Sequence, residues 1–225
     1  MKRLSTKAAP AADRLSDMAY RAVLEALFDR RVVAGSFVSQ GDIARITGSP
    51  IGPLRDALKV LEADGVLKVQ PRSGIQFVRP GLELTRSTYQ FRSILERAAV
   101  RVFAEAGALA EIEGIMAAHR ALIEEIETGS EVADLPSRAT ALESLFHDRV
   151  VGALDNLQID AAYRRLATLL QIIRLDSAWS PHVVATTMRE HLVVLERAQA
   201  RDADGAEETM RQHLANALQR HLKVL

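Results

Sequence analysis

The chain has 225 residues, no cysteine and a formal net charge of +0. Disulfides, thiolate zinc sites and cysteine nucleophiles are therefore excluded, and any metal must be held by His, Asp or Glu. The length suits two domains, each with its own core. No run approaches the ~18 apolar residues of a membrane span, and the basic start MKRLSTKAAPAADRLSD is not followed by a signal-type stretch, so a cytoplasmic location is expected. Cutting the chain at Pro80 separates the charge. Residues 1–80 hold 13 Lys and Arg against 8 Asp and Glu, and residues 81–225 hold 16 against 21. A small basic unit followed by a larger acidic one suits a nucleic-acid reader carrying a separate module.

Residues 1–12 lack periodicity and read as a flexible tail, with a first domain expected over 13–79. From Ser16 to Arg31, apolar residues at Ala19, Val23, Leu24, Leu27 and Phe28 keep helical spacing up to the turn at Ala34-Gly35. A short helix follows, with Ser39 as N-cap, Asp42 in the first turn, and Ile43, Ala44 and Ile46 inward, ending at Thr47-Gly48. Ser49 reads as the next N-cap with Pro50 at the first helical position. The helix it opens carries Leu54, Ala57, Leu58 and Leu61 inward and stops at Asp64-Gly65. Val66–Val69 and Ile75–Val78 then alternate around Pro71-Arg72-Ser73-Gly74 as a hairpin. Helix, helix, turn, helix and hairpin make a winged helix-turn-helix.

In such a unit the second helix of the pair enters the major groove and its N-terminal side chains reach base edges. Ser49, Pro50, Gly52 and Arg55 stand at that end and are the candidate DNA contacts. Arg55 leads them, because a guanidinium donates two hydrogen bonds to a guanine edge or clamps a phosphate. Arg72, Ser73 and Gly74 at the wing tip are placed to reach the backbone or the minor groove. A homodimer, or a higher oligomer, on a palindromic operator follows from the two-fold logic of paired reading helices.

Residues 80–83 read as a linker, and 84–225 as an all-α bundle with helices near 84–107, 110–128, 137–154, 157–177, 181–201 and 204–224. The fold class is thus mainly α. Within the bundle Glu143 and His147 lie i, i+4 on one face, His191 falls in line with Met188, Leu192 and Leu195, and His213 borders Met210, Leu214 and Ala217. Three histidines and a carboxylate suit zinc or another first-row divalent ion, with positions left open for a ligand oxygen. Core histidines satisfied by hydrogen bonds are the alternative. His119, His182 and His221 read as surface residues.

The segment ITGSPIGPLRDALKVLEADGVLKVQPRSGIQFV resembles the GntR family signature, with its P-V-R-E-A-L core, L-E-x-x-G turn and glycine-containing wing. Pro53, Leu54, Arg55, Asp56, Ala57 and Leu58 match that core with conservative changes. The family's Ser-Arg at the start of the reading helix is Pro50 and Ile51 here, and the glutamate common before the second helix is Gln40. The resemblance therefore implies an operator that departs from the family's usual half-site. The second domain resembles the FCD ligand-binding domain of the FadR branch, and its six helices resemble the VanR-type subgroup. The branch's motif, D-x-x-x-H followed by a histidine on each of two later helices, is matched by Glu143, His147, His191 and His213, with Glu for Asp. Arg92 in FRSILE matches an R-x-x-L-E arginine that helps hold an acidic effector, and Arg174 is a second pocket candidate. The resemblance implies a ligand-responsive repressor, with Zn2+ as cofactor and a small organic acid as effector.

A metal-dependent hydrolase is the competing enzyme reading and a non-sensing dimerisation scaffold the other. The chain has no H-E-x-x-H, no serine nucleophile elbow and no Gly-rich phosphate loop, and it carries a domain that catalysis does not require. A non-enzymatic regulator is expected.

Overall fold

A computed structural model describes residues 11–70, 73–129, 132–175 and 179–222. The chain divides into two compact units between Pro80 and Gly81. The first unit comprises α1 (Ala11–Phe28), β1 (Phe37–Val38), α2 (Gln40–Thr47), α3 (Ile51–Ala63), β2 (Leu67–Gln70) and β3 (Gly74–Phe77). Helix α1 starts at Ala11, five residues before the expected Ser16 and inside the stretch expected to be tail. The rest of the tail lies outside the described residues. Ser39 caps α2, its side chain accepting from the Asp42 amide at 3.1 Å, and Gly48 closes the helix in the left-handed region at φ 67°.

Ser49 does not cap α3. It pairs with the Thr47 hydroxyl at 2.9 Å, and Pro50, with extended backbone at ψ 144°, takes the N-cap position. The proline still begins the helix without wasting a donor, because its carbonyl accepts from the Leu54 amide at 3.0 Å. The sheet order is β1-β3-β2, with Phe37 facing Gln76, Val38 facing Ile75, and Gln70 facing Gly74. Strand β1 was not foreseen, since two residues are too few to show alternation. Gly74 is required where it stands: its φ is 111°, and a Cβ there would meet the Val38 carbonyl oxygen at 3.0 Å. Val23, Leu27, Ile43, Leu54, Leu61, Ile75 and Phe77 are buried together and hold α3 against α1 and the sheet.

The second unit consists of α4 (Leu82–Ala106), α5 (Leu109–Glu127), α6 (Leu135–Gly152), α7 (Leu157–Arg174), α8 (Pro181–Gln199) and α9 (Ala203–Leu222). Helix α4 starts at Leu82 with Gly81 as N-cap, within the segment expected to be linker. Asn156 and Ser180 cap α7 and α8 through their side chains. Asp204 and Gly205 lie inside the first turn of α9. The chain turns earlier, through Arg201 at φ 60°, and the Asp202 carboxylate accepts from the Gly205 amide at 2.8 Å. The core joins Val100 and Phe103 of α4, Ile112 and Met116 of α5, Phe146 and Val150 of α6, Leu166 of α7, Leu195 of α8 and Met210 and Leu214 of α9. Among the described residues no helix is long and apolar enough to cross a membrane.

Leu61 is fully buried in the first unit. Leu61→Ala should lower that unit's stability by about 2–5 kcal/mol, read by denaturant unfolding of the full chain. A loss below about 1 kcal/mol would show that α3 is not anchored there.

Candidate metal centre and nucleic-acid interface

In the first unit Ile51, Gly52 and Arg55 are exposed at the start of α3, and Ser49 is half-buried just before it. Among the described residues no atom lies within 4 Å of the position a Gly52 Cβ would take, so this end of the helix is open to close approach. Arg55 has no hydrogen bond or ion pair among the described residues, whereas Arg45 pairs with Asp42 and Lys59 with Asp56. Its guanidinium is thus uncommitted. Ser73 is exposed and Gly74 half-buried at the wing, where the Ser73 amide donates to the Gln70 carbonyl at 3.1 Å. Arg72 lies outside the described residues.

In the second unit the structure brings His147 of α6, His191 of α8 and His213 of α9 together, all buried, with their ligand nitrogens within 4.8 Å of one another. Nε2 of His191 stands 3.3 Å from Nε2 of His213. The Glu143 carboxylate joins them, Oε2 at 3.7 Å from His147 Nε2 and Oε1 at 3.6 Å from His191 Nε2. Phe146 forms the apolar wall, stacking on His191 with ring centroids 4.3 Å apart.

The outer nitrogens decide where the ring protons lie. His119 Nδ1 stands 2.8 Å from the Ile115 carbonyl, which can only accept, so Nδ1 carries the proton and His119 Nε2 a lone pair. His191 Nδ1, 3.0 Å from that lone pair, must donate to it and leave its own Nε2 bare. His147 Nδ1 donates to Glu96 Oε2 at 2.6 Å, and His213 Nδ1 donates to Glu190 Oε2 at 2.8 Å. His147 Nε2 is then a buried atom with no hydrogen-bond partner among the described residues. Two facing Nε2 atoms at 3.3 Å are relieved only by a shared proton or a shared cation. Two nitrogens each about 2.1 Å from one zinc ion at a tetrahedral angle would stand about 3.4 Å apart, so the observed set fits a metal.

Burial pushes the imidazoles of His147 and His191 well below their ordinary range, with Arg92 adding to the effect at His147 and His213 at His191. Burial alone would raise the Glu143 carboxyl. The Arg174 guanidinium, which donates to Oε2 at 2.5 Å, outweighs it together with His191 and His147 and holds Glu143 well below the usual carboxylate range. Arg92 is wholly buried, its Nε donating to Glu96 Oε1 at 2.5 Å while Nη1 has no hydrogen-bond partner among the described residues. Both arginines singled out in the sequence therefore border the cluster, each on a carboxylate.

Three groups of this centre escape the sequence reading. His119 is fully buried on α5 rather than exposed, and its place in line with Ile112, Ile115, Met116 and Leu122 was the signal. Glu96 is the acid of the R-x-x-L-E segment, one turn after Arg92. Glu190 precedes His191 and is held by both Arg220 nitrogens at 2.9 Å. His221 also departs from expectation. It is half-buried against the Tyr89 ring, and burial, aided by Arg174, pushes it down to about 4. His182 is exposed, as expected.

A winged helix-turn-helix thus precedes, in the chain, a helical bundle that carries this cluster. Residues 87–216 match the FCD domain, and the chain belongs to the FCD family. It is 22% identical over 204 residues to the uncharacterised helix-turn-helix-type transcriptional regulator YdhC of Bacillus subtilis, covering 91% of this chain and 89% of that one. The fold is that of E. coli McbR/YncC (TM-score 0.74, 16% identity, 96% and 99% of the two chains). A GntR-type regulator from Rhodococcus sp. RHA1 is similar to the same degree (TM-score 0.73, 16% identity, 95% and 98%). YdhC and the Rhodococcus protein are named as transcriptional regulators, which favours the non-enzymatic reading over the hydrolase.

If His119 fixes the His191 tautomer, His119→Phe should weaken zinc binding about 10–100-fold in a chelator competition, while His119→Gln, which keeps an acceptor, should retain most of it. Equal affinities for wild type and His119→Phe would contradict this. A second expectation concerns pH. The folded pKa values of His119, His147, His191 and His221 are depressed from 6.5, so the unfolded chain takes up protons first as pH falls. Metal-free protein should keep its full melting temperature above about 6.5 and lose it as pH drops toward about 4, where His221 also becomes charged. A flat profile across that window would refute the burial of neutral imidazoles.

Proposed function

We propose that the protein is a metal- and ligand-responsive repressor that binds a palindromic operator as a homodimer and releases it when a small carboxylate accumulates. The observation that carries the reading is the convergence of three Nε2 atoms whose Nδ1 partners are already assigned. Glu143, His147, His191 and His213 would hold one divalent ion. Zinc is favoured by three imidazoles and a carboxylate, although other first-row ions accept the same donors. Bound there, the ion would offer a positive centre to an anionic oxygen. Arg92 would contribute its open Nη1, Arg174 would orient Glu143, and Phe146 would keep bulk water from the rings.

At the other end of the chain, α3 would enter the major groove, with Arg55 reading a base edge or phosphate and Ser49, Pro50 and Gly52 allowing close approach. Ser73, Gly74 and Arg72 would meet the flanking backbone. For release, the effector must favour the state of the dimer that binds DNA poorly, and about 1.4 kcal/mol of coupling corresponds to tenfold in operator affinity.

Arg55→Ala should abolish most sequence-specific binding to the chain's own promoter region in gel shifts at physiological salt, without changing zinc content. Equal binding by the two proteins would overturn the assignment of α3. Conversely, Glu143→Ala and His213→Ala should lower bound zinc well below one ion per chain by elemental analysis. Near-zero zinc in wild type purified without chelator, with melting unmoved by added zinc, would overturn the metal reading.

A further inference from the structure

The tip of α3 is chemically bare. Pro50, Ile51 and Gly52 are exposed there and Pro53 is half-buried. None of these four side chains carries a hydrogen-bond donor or acceptor, and neither proline has an amide hydrogen. Just before them, the Ser49 hydroxyl is engaged with Thr47 Oγ1 at 2.9 Å. Just after them, beyond the buried Leu54, the first polar side chain is Arg55, one turn into the helix, and Asp56 next to it is taken up by Lys59 at 3.0 Å.

A reading helix that recognises a base edge by hydrogen bonds from its first turn needs a polar side chain in that turn. Helix α3 has Ile51 there instead, 47% exposed. A single exposed isoleucine is ordinary on a protein surface, so its position carries the argument. It lies i, i+4 from Arg55, on the same face and beside the open position of Gly52. The edges of the base pairs in the major groove offer donors, acceptors and one alkyl group, the C5 methyl of thymine. An apolar tip gains only from the last.

We infer that Ile51 is a specificity-determining residue whose side chain packs on a thymine methyl, so that each half-site carries a T·A pair within about two base pairs of the group that Arg55 contacts. The spacing follows from geometry: four residues of helix rise about 6 Å, and successive base pairs lie about 3.4 Å apart. This rests on the placement of α3 in the major groove and adds the identity of one base to it.

The test uses the full-length protein to enrich binding sites from random-sequence duplex DNA. Thymines of the enriched half-site are then replaced one at a time by deoxyuridine, which lacks only the methyl group. At one position per half-site the replacement should weaken binding about fourfold, the effect of one methyl no longer withdrawn from water. Ile51→Ala should melt as wild type does, because the side chain it shortens is exposed, and should bind the thymine and deoxyuridine sites within about twofold of each other. Ile51→Val, which keeps a branched apolar face, should retain most of the discrimination. A half-site in which no thymine responds to deoxyuridine, or a response that persists unchanged in Ile51→Ala, would overturn the inference. Loss of specific binding in Arg55→Ala would leave the reading of α3 standing in those cases. A selection that enriches no sequence, or Arg55→Ala binding the enriched site as wild type does, would sink both.

Discussion

Six helices that close around buried imidazoles must find a partner for every ring proton, and this requirement organises the second unit. Each cluster histidine settles it with a different neighbour: His147 with Glu96 of α4, His213 with Glu190 of α8, and His191 through His119 to a backbone carbonyl of α5. Glu143 and Arg174 bring in α6 and α7. Every helix of the bundle thus supplies a group, so the cluster's geometry depends on the whole bundle being packed. Conversely, the outer hydrogen bonds leave the inner nitrogens no role except to meet one another or a common acid.

The same arrangement balances charge. Glu96 is held by Arg92, Glu143 by Arg174 and Glu190 by Arg220, so each acid of the centre has its own arginine. Isolated charges in such a place would be costly, and pairing is what lets them remain buried. On the proposed reading, a divalent cation added to this balanced set leaves an excess of positive charge. An anion is the partner such a site calls for.

Periodicity and breakers were enough to read the winged helix-turn-helix and the six helices, because amphipathic spacing and caps such as Ser39, Asn156 and Ser180 act locally. Glu143 and His147 were legible for the same reason, as a pair on one helix face. What the chain did not disclose is tertiary. His119 and Glu96 acquire their roles only when α5 and α4 meet α8 and α6, across sequence separations of 72 and 51 residues. Strand β1 exists only because β3 pairs with it, and Pro50 rather than Ser49 begins α3 because the Ser49 hydroxyl is taken up by Thr47.

X-ray absorption at the zinc edge of the full-length protein asks directly what the converging nitrogens hold. The account predicts a first shell of three imidazole nitrogens at about 2.0–2.1 Å with one or more oxygens, and multiple scattering from the three rings. Loss of one nitrogen should follow His191→Ala. A shell of oxygens alone, or a spectrum indifferent to His191→Ala, would contradict it.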